Sequence, residues 1–102
     1  MAHVQIKVAA TTQTLLVVDD RPENLAAMEA LLDDGDWRLR CVDSGEAALQ
    51  CLLEEDVGLV LLDVQMPHMD GFEVARLMRG NPRTRYTPII FVSAIAQTQD
   101  SV

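Results

Sequence analysis

The sequence is short of the features that several large classes of protein depend on. Cysteine occurs only at Cys41 and Cys51, with no CxxC pair and no Cys/His cluster, which excludes a structural zinc site. Both cysteines sit in apolar stretches and read as buried free thiols of a reducing compartment. The two histidines, His3 and His68, are far apart. No apolar run approaches the roughly 20 residues needed to cross a bilayer. The segment Met1 to Thr14 holds one lysine and no apolar core, so it does not read as a secretory signal. Bases are scarce: 8 Lys and Arg stand against 16 Asp and Glu, for a net charge of −8. That balance argues against a nucleic-acid surface and permits a cation site or a basic protein partner. The 5 glycines fall singly, so there is no glycine-rich phosphate loop. A serine-triad hydrolase is unsupported too, since no nucleophile elbow occurs.

What is present is a globular composition: 102 residues, 49% hydrophobic and 24% charged. This fits one compact domain. Residues 1–13 read as a leader and linker, in which Val4, Ile6 and Val8 alternate with polar residues and could form an extra strand. Residues 14–102 carry the domain. Leu15 to Val18 is a continuous apolar run, as in a strand buried on both faces, and it stops at Asp19-Asp20. Pro22 suits the first turn of a helix, and Leu25, Met28, Leu31 and Leu32 recur at helical spacing. Trp37 to Val42 alternates and reads as an edge strand. Ser44 caps a second helix. Val57 to Leu62 is the second buried run, ending at Asp63. Asp70-Gly71-Phe72-Glu73 has capping-box spacing and opens a third helix, with Phe72, Val74, Leu77 and Met78 as its apolar positions. Asn81-Pro82 ends it. Pro88 to Val92 is the third buried strand, stopping at Ser93, and Ile95 to Val102 has room for one or two helical turns. Strands alternating with helices imply an α/β fold with a parallel sheet covered on both faces.

The carboxyl ends of these strands carry the chemistry. Ligands of open parallel sheets bind there. Asp19, Asp20, Asp63 and the hydroxyl of Ser93 would converge on one small volume. Carboxylates so close repel, and one is driven toward protonation unless a cation intervenes. Mg²⁺ suits hard oxygen ligands with positions left for phosphoryl oxygens. An Asp or Ser at one strand end is commonly turn chemistry or a helix cap; three such ends together weaken that plain reading.

At these residues the sequence resembles the receiver domain of response regulators in two-component signalling. Leu15 to Leu25 (LLVVDDRPENL) resembles its first strand and acidic pair. Leu61 to Phe72 (LLDVQMPHMDGF) resembles its phosphoacceptor segment, and Pro88 to Ala94 (PIIFVSA) its fourth strand. The resemblance runs from about Thr14 to the end of the chain. It implies a flavodoxin-like doubly wound sheet, with strand order 2-1-3-4 for the strands present. It implies that Asp63 accepts a phosphoryl group from a phosphohistidine of a sensor histidine kinase or phosphotransfer protein. Asp20 would bind Mg²⁺ (or Mn²⁺) directly, Asp19 through water, and the backbone carbonyl of Gln65 would complete the ligands. Ser93 would contact the phosphoryl group, and Met66, Pro67 and Gly71 would shape the loop over the site. The implied setting is the bacterial cytoplasm, without nucleic acid or membrane contact by this domain. The protein would be a phosphoacceptor rather than an enzyme. The DDRPENL start resembles receivers attached to sensor kinases or cyclic-dinucleotide enzymes.

The sequence departs from the family pattern in one region. The fifth strand, its lysine, the switch aromatic and the fifth helix have no counterpart here, and the single lysine, Lys7, precedes the first strand. The expectation is therefore an incomplete receiver, either a fragment of a longer one or a truncated natural variant, that self-associates through its open edge strand or uncovered sheet face. Two other readings compete. One is a receiver-like interaction module that does no phosphotransfer. The other is an aspartyl-phosphate phosphatase of the haloacid-dehalogenase type, whose D-x-D motif would need an Asp where Gln65 stands.

Overall fold

The computed structural model describes residues 13–32 and 35–92. The expectations for the Val4-Ile6-Val8 segment, Lys7, Ser93 and the last helical turns lie outside the described residues. Seven elements run β1 (Thr14–Val18), α1 (Pro22–Leu32), β2 (Arg38–Val42), α2 (Gly45–Glu54), β3 (Leu59–Asp63), α3 (Gly71–Arg79) and β4 (Ile89–Val92). The four strands form one sheet in the order β2-β1-β3-β4, all neighbours parallel.

Strand periodicity explains the layering. Residues of β1 alternate between the two sheet faces. Leu16 and Val18 point to one side, with Val60 and Leu62 of β3, and meet Ala48, Cys51 and Leu52 of α2 and Val74 and Met78 of α3. Leu15 and Val17 point to the other side with Leu61, where Leu25, Met28 and Leu32 of α1 pack. Each large aliphatic removed from water in this way contributes about 1.5–3 kcal/mol. Every residue of β1 is buried, as its unbroken apolar run implies.

The helix starts follow local chemistry. Pro22 is the first residue of α1. Ser44 caps α2 by accepting from the Ala47 N–H at 3.0 Å. Asp70 caps α3 by accepting from the Glu73 N–H at 2.9 Å. Glu73 does not complete the capping box by reaching back to Asp70; its carboxylate pairs with Arg76.

Some expectations need correction. Leu31 is 76% exposed and α1 buries no residue fully. Among the described residues α1 covers its face of the sheet alone, so only its innermost stripe finds partners. Phe72 and Leu77 of α3 are exposed, leaving Val74 and Met78 as its buried positions. In β4, Ile89 is half-buried while Ile90, Phe91 and Val92 are exposed. Among the described residues β4 has a strand on one side only, so it lacks the two-sided burial that its apolar run suggested. Cys51 is buried but Cys41, on the edge strand β2, is only half-buried, and both are free thiols. The strand β3 begins at Leu59 rather than Val57, and Asp63 is its last residue.

Candidate functional site: an acidic cluster at the strand ends

The order β2-β1-β3-β4 reverses direction at β1. The chain leaves β1 for β2 on one side and returns to β3 on the other. A crevice opens at the carboxyl ends of strands where this happens. Asp19 and Asp20 follow β1, and Asp63 ends β3, its immediate neighbour in the sheet. One carboxylate oxygen from each of the three lies within 4.8 Å of the others.

The three carboxylates differ in their surroundings. Asp19 is buried, and both of its oxygens accept hydrogen bonds. The Arg21 N–H donates to Oδ1 at 2.9 Å and the Asn24 Nδ2 to Oδ2 at 3.1 Å. Asp20 has a buried Oδ1 with no hydrogen-bond partner. Asp63 is also buried, and its Oδ1 accepts from the Gln65 N–H at 3.2 Å. Burial pushes the Asp63 carboxyl above its ordinary pKa of 3.8, and the negative charges of Asp19 and Asp20 push the same way. The Gln65 N–H and the Arg21 guanidinium oppose the rise.

The loop after β3 is held by local geometry. Its first residue continues the sheet, since the Val64 N–H donates to the Val92 carbonyl at 3.1 Å. The side chain of Gln65 is exposed, Met66 is buried in the core between sheet and helices, and Pro67 is exposed. Met66 therefore pins the loop from beneath. His68 adopts φ 69°, with the Met69 N–H donating to the Pro67 carbonyl across it at 2.7 Å, a tight three-residue turn. The Gly71 N–H closes the loop onto the Val64 carbonyl at 2.9 Å.

This donor set fits a hard divalent cation. It offers carboxylate oxygens at short mutual distance, an unpartnered buried oxygen, and a carboxyl held in its charged form only at a cost. Sequence reasoning identified Asp19, Asp20 and Asp63, and the structure brings them together. It overlooked Asn24, whose only signal was a polar side chain in the first turn of the helix that follows the acidic pair.

Comparison with known proteins decides the family. Residues 15–102 match the model of the response regulator receiver domain. The chain belongs to the receiver domain family. Over 87 residues it is 39% identical to a probable cyclic di-GMP phosphodiesterase of Vibrio cholerae, matching 85% of this chain and 20% of that protein. Over 83 residues it is 39% identical to the signal transduction histidine-protein kinase BarA of Escherichia coli, matching 81% of this chain and 9% of the kinase. The chain thus spans a small part of the length of these relatives. Among solved structures, the receiver domain of a sensor histidine kinase from Pseudomonas aeruginosa superposes with a TM-score of 0.78 at 30% identity, covering 89% of this chain and 75% of that one. That crystal structure has a magnesium ion coordinated in its active-site cleft.

Receiver domains are phosphoacceptors of two-component systems that take their phosphate from histidine kinases and bind Mg²⁺ at an acidic site. Among the described residues, no helix of this receiver domain is long and apolar enough to cross a membrane.

Proposed function

We propose that this receiver domain accepts a phosphoryl group on Asp63 from the phosphohistidine of a sensor histidine kinase or phosphotransfer protein. The observation that carries the reading is the meeting of Asp19, Asp20 and Asp63 at the ends of two adjacent strands, with Asp20 Oδ1 buried and unpartnered. A lone pair of an Asp63 carboxylate oxygen attacks phosphorus. The P–N bond to the donor imidazole breaks, and its electron pair stays on the nitrogen. Asp63 suits the role because Gln65 occupies only Oδ1.

Asp20 and Asp63, with the backbone carbonyl of Gln65, would hold Mg²⁺ or Mn²⁺, and Asp19 would assist through water. When bound, the cation supplies charge neutralisation for the phosphoryl oxygens, the main demand of phosphoryl transfer. Ser93, proposed as the phosphoryl-contacting hydroxyl, follows Val92, whose register partner is Asp63. Gly71, which lies against the backbone of Asp63, lets the loop from Met66 and Pro67 return close to the strand end. The proposed setting is the bacterial cytoplasm. The cyclic-dinucleotide and kinase activities named for the relatives belong to proteins far longer than this match.

The test is phosphorylation by acetyl phosphate with Mg²⁺, read by intact-mass spectrometry. A single added phosphoryl group that disappears in Asp63→Asn is the expected result. No labelling of the parent, together with no Mg²⁺-dependent beryllofluoride binding, would favour the interaction-module reading instead.

A further inference from the structure

The turn from β1 into α1 grips Asp19 from two directions. The backbone N–H of Arg21 takes one carboxylate oxygen and the side-chain amide of Asn24 takes the other. Asp20, the next residue, carries the same charge but keeps a buried oxygen without a partner. Two adjacent aspartates thus have opposite freedoms. One is fixed in orientation and the other is free to ligate.

The grip leaves Asp19 able to serve a cation. An ionised carboxylate has about four acceptor sites on its two oxygens, and the two hydrogen bonds use one on each. What the grip removes is rotation. Three carboxylates within 4.8 Å of one another repel, and an untethered Asp19 would turn away from Asp63. The Arg21 half of the grip is backbone and survives side-chain substitution. The Asn24 half is a side chain and can be removed. Asn24 is the third residue of α1, and its own N–H donates to the Arg21 carbonyl at 3.0 Å. The amide that holds Asp19 is therefore anchored in the turn that starts the helix.

We propose that Asn24 is a positioning residue for the divalent-cation site. Its amide sets the orientation of the Asp19 carboxylate and links occupancy of the site to the order of the first turn of α1. The inference rests on the reading of the acidic cluster as a cation site. Hydrogen-bond partners that orient metal ligands typically contribute about 10–100-fold to affinity. A purely structural Asn24 predicts something else. In that case Asn24→Ala would lose only a hydrogen bond to the buried Asp19 carboxylate, which lowers the melting temperature in EDTA and leaves cation affinity alone.

The experiment measures Mg²⁺ binding to the 102-residue chain by titration calorimetry, beside thermal melts in EDTA. Asn24→Ala is expected to weaken Mg²⁺ affinity by about 10-fold without lowering the melting temperature in EDTA. Asn24→Gln, which keeps the amide on a longer arm, is expected to recover part of the loss. Added Mg²⁺ should slow amide exchange at Asn24 and Leu25 in the parent, and much less in Asn24→Ala. Unchanged affinity in Asn24→Ala overturns the proposal while leaving the cation site standing. A fall in affinity matched by a lower melting temperature in EDTA also overturns it, as general destabilisation. Absence of Mg²⁺ binding by the parent overturns the cation reading itself.

Discussion

Gly71 lies against the backbone of Asp63 so closely that a Cβ at Gly71 would sit 3.0 Å from the Asp63 carbonyl carbon and 3.0 Å from the Val64 Cα. At Gly71 the start of α3 meets the end of β3 through main chain. This contact lets the loop from Val64 to Asp70 fold back over the strand end, where the carboxylates meet.

Gly71→Ala is accordingly expected to destabilise the domain by about 1–3 kcal/mol. The atoms in the way are backbone and cannot rotate aside. Urea denaturation followed by circular dichroism measures the loss. A midpoint equal to that of the parent would show that α3 can slide away from β3 at no cost.

Mg²⁺ is expected to raise the melting temperature. A ligand at about 100 times its dissociation constant adds about 2.7 kcal/mol to stability, and EDTA should reverse the effect. The increase should be largely lost in Asp20→Ala, which removes the buried unpartnered oxygen. A full increase in that variant would exclude Asp20 as a ligand.

The raised carboxyl of Asp63 gives a pH dependence of definite sign. Its native pKa lies above the ordinary 3.8, chiefly through burial. The native state therefore binds this proton more readily than the unfolded chain does. The resulting stabilisation is complete below pH 3.8 and is lost as pH rises through the higher native value. Asp63→Asn removes this term. Without Mg²⁺, the gain in stability of Asp63→Asn over the parent should grow as pH rises through that window and then level off. Melting curves of both proteins in EDTA across pH measure the difference. A difference independent of pH would place the Asp63 carboxyl at its ordinary pKa.

Asp70 caps α3 through its hydrogen bond with the Glu73 N–H and is not one of the three clustered carboxylates. Asp70→Ala should cost about 0.5–2 kcal/mol and leave Mg²⁺ affinity unchanged. Calorimetry beside denaturant melts separates the two effects. Weakened Mg²⁺ binding in Asp70→Ala would extend the cation site beyond the three carboxylates.

Ile90 of β4 is 52% exposed and Phe91, also exposed, stacks obliquely on Phe72 with ring centroids 5.1 Å apart. The chain is expected to self-associate at micromolar concentration through this strand and its neighbourhood. Light scattering that finds a monomer with a cooperative melt would refute the expectation.

The alternation of strands and helices and the caps at Ser44 and Asp70 were legible in the residues alone. So was the placing of Asp19, Asp20 and Asp63 at strand ends. These features rest on local periodicity and on side-chain chemistry within a few residues. The unbroken apolar runs of β1 and β3 showed that these strands lie inside the sheet. The sequence could not tell how far each apolar face would be covered. Leu31, Phe72 and the β4 residues have the composition of core positions, but their burial depends on which elements lie opposite. Composition and spacing did not separate Asp19 from Asp20, which are alike in charge and adjacent in the chain; only the family resemblance gave them different roles. The physical difference between them arises in the folded chain. The turn from β1 into α1 aims the Arg21 N–H and the Asn24 amide at one carboxylate and leaves the other with a buried free oxygen. The relation depends on where a helix axis lies against a strand end, and no local pattern of residues encodes that.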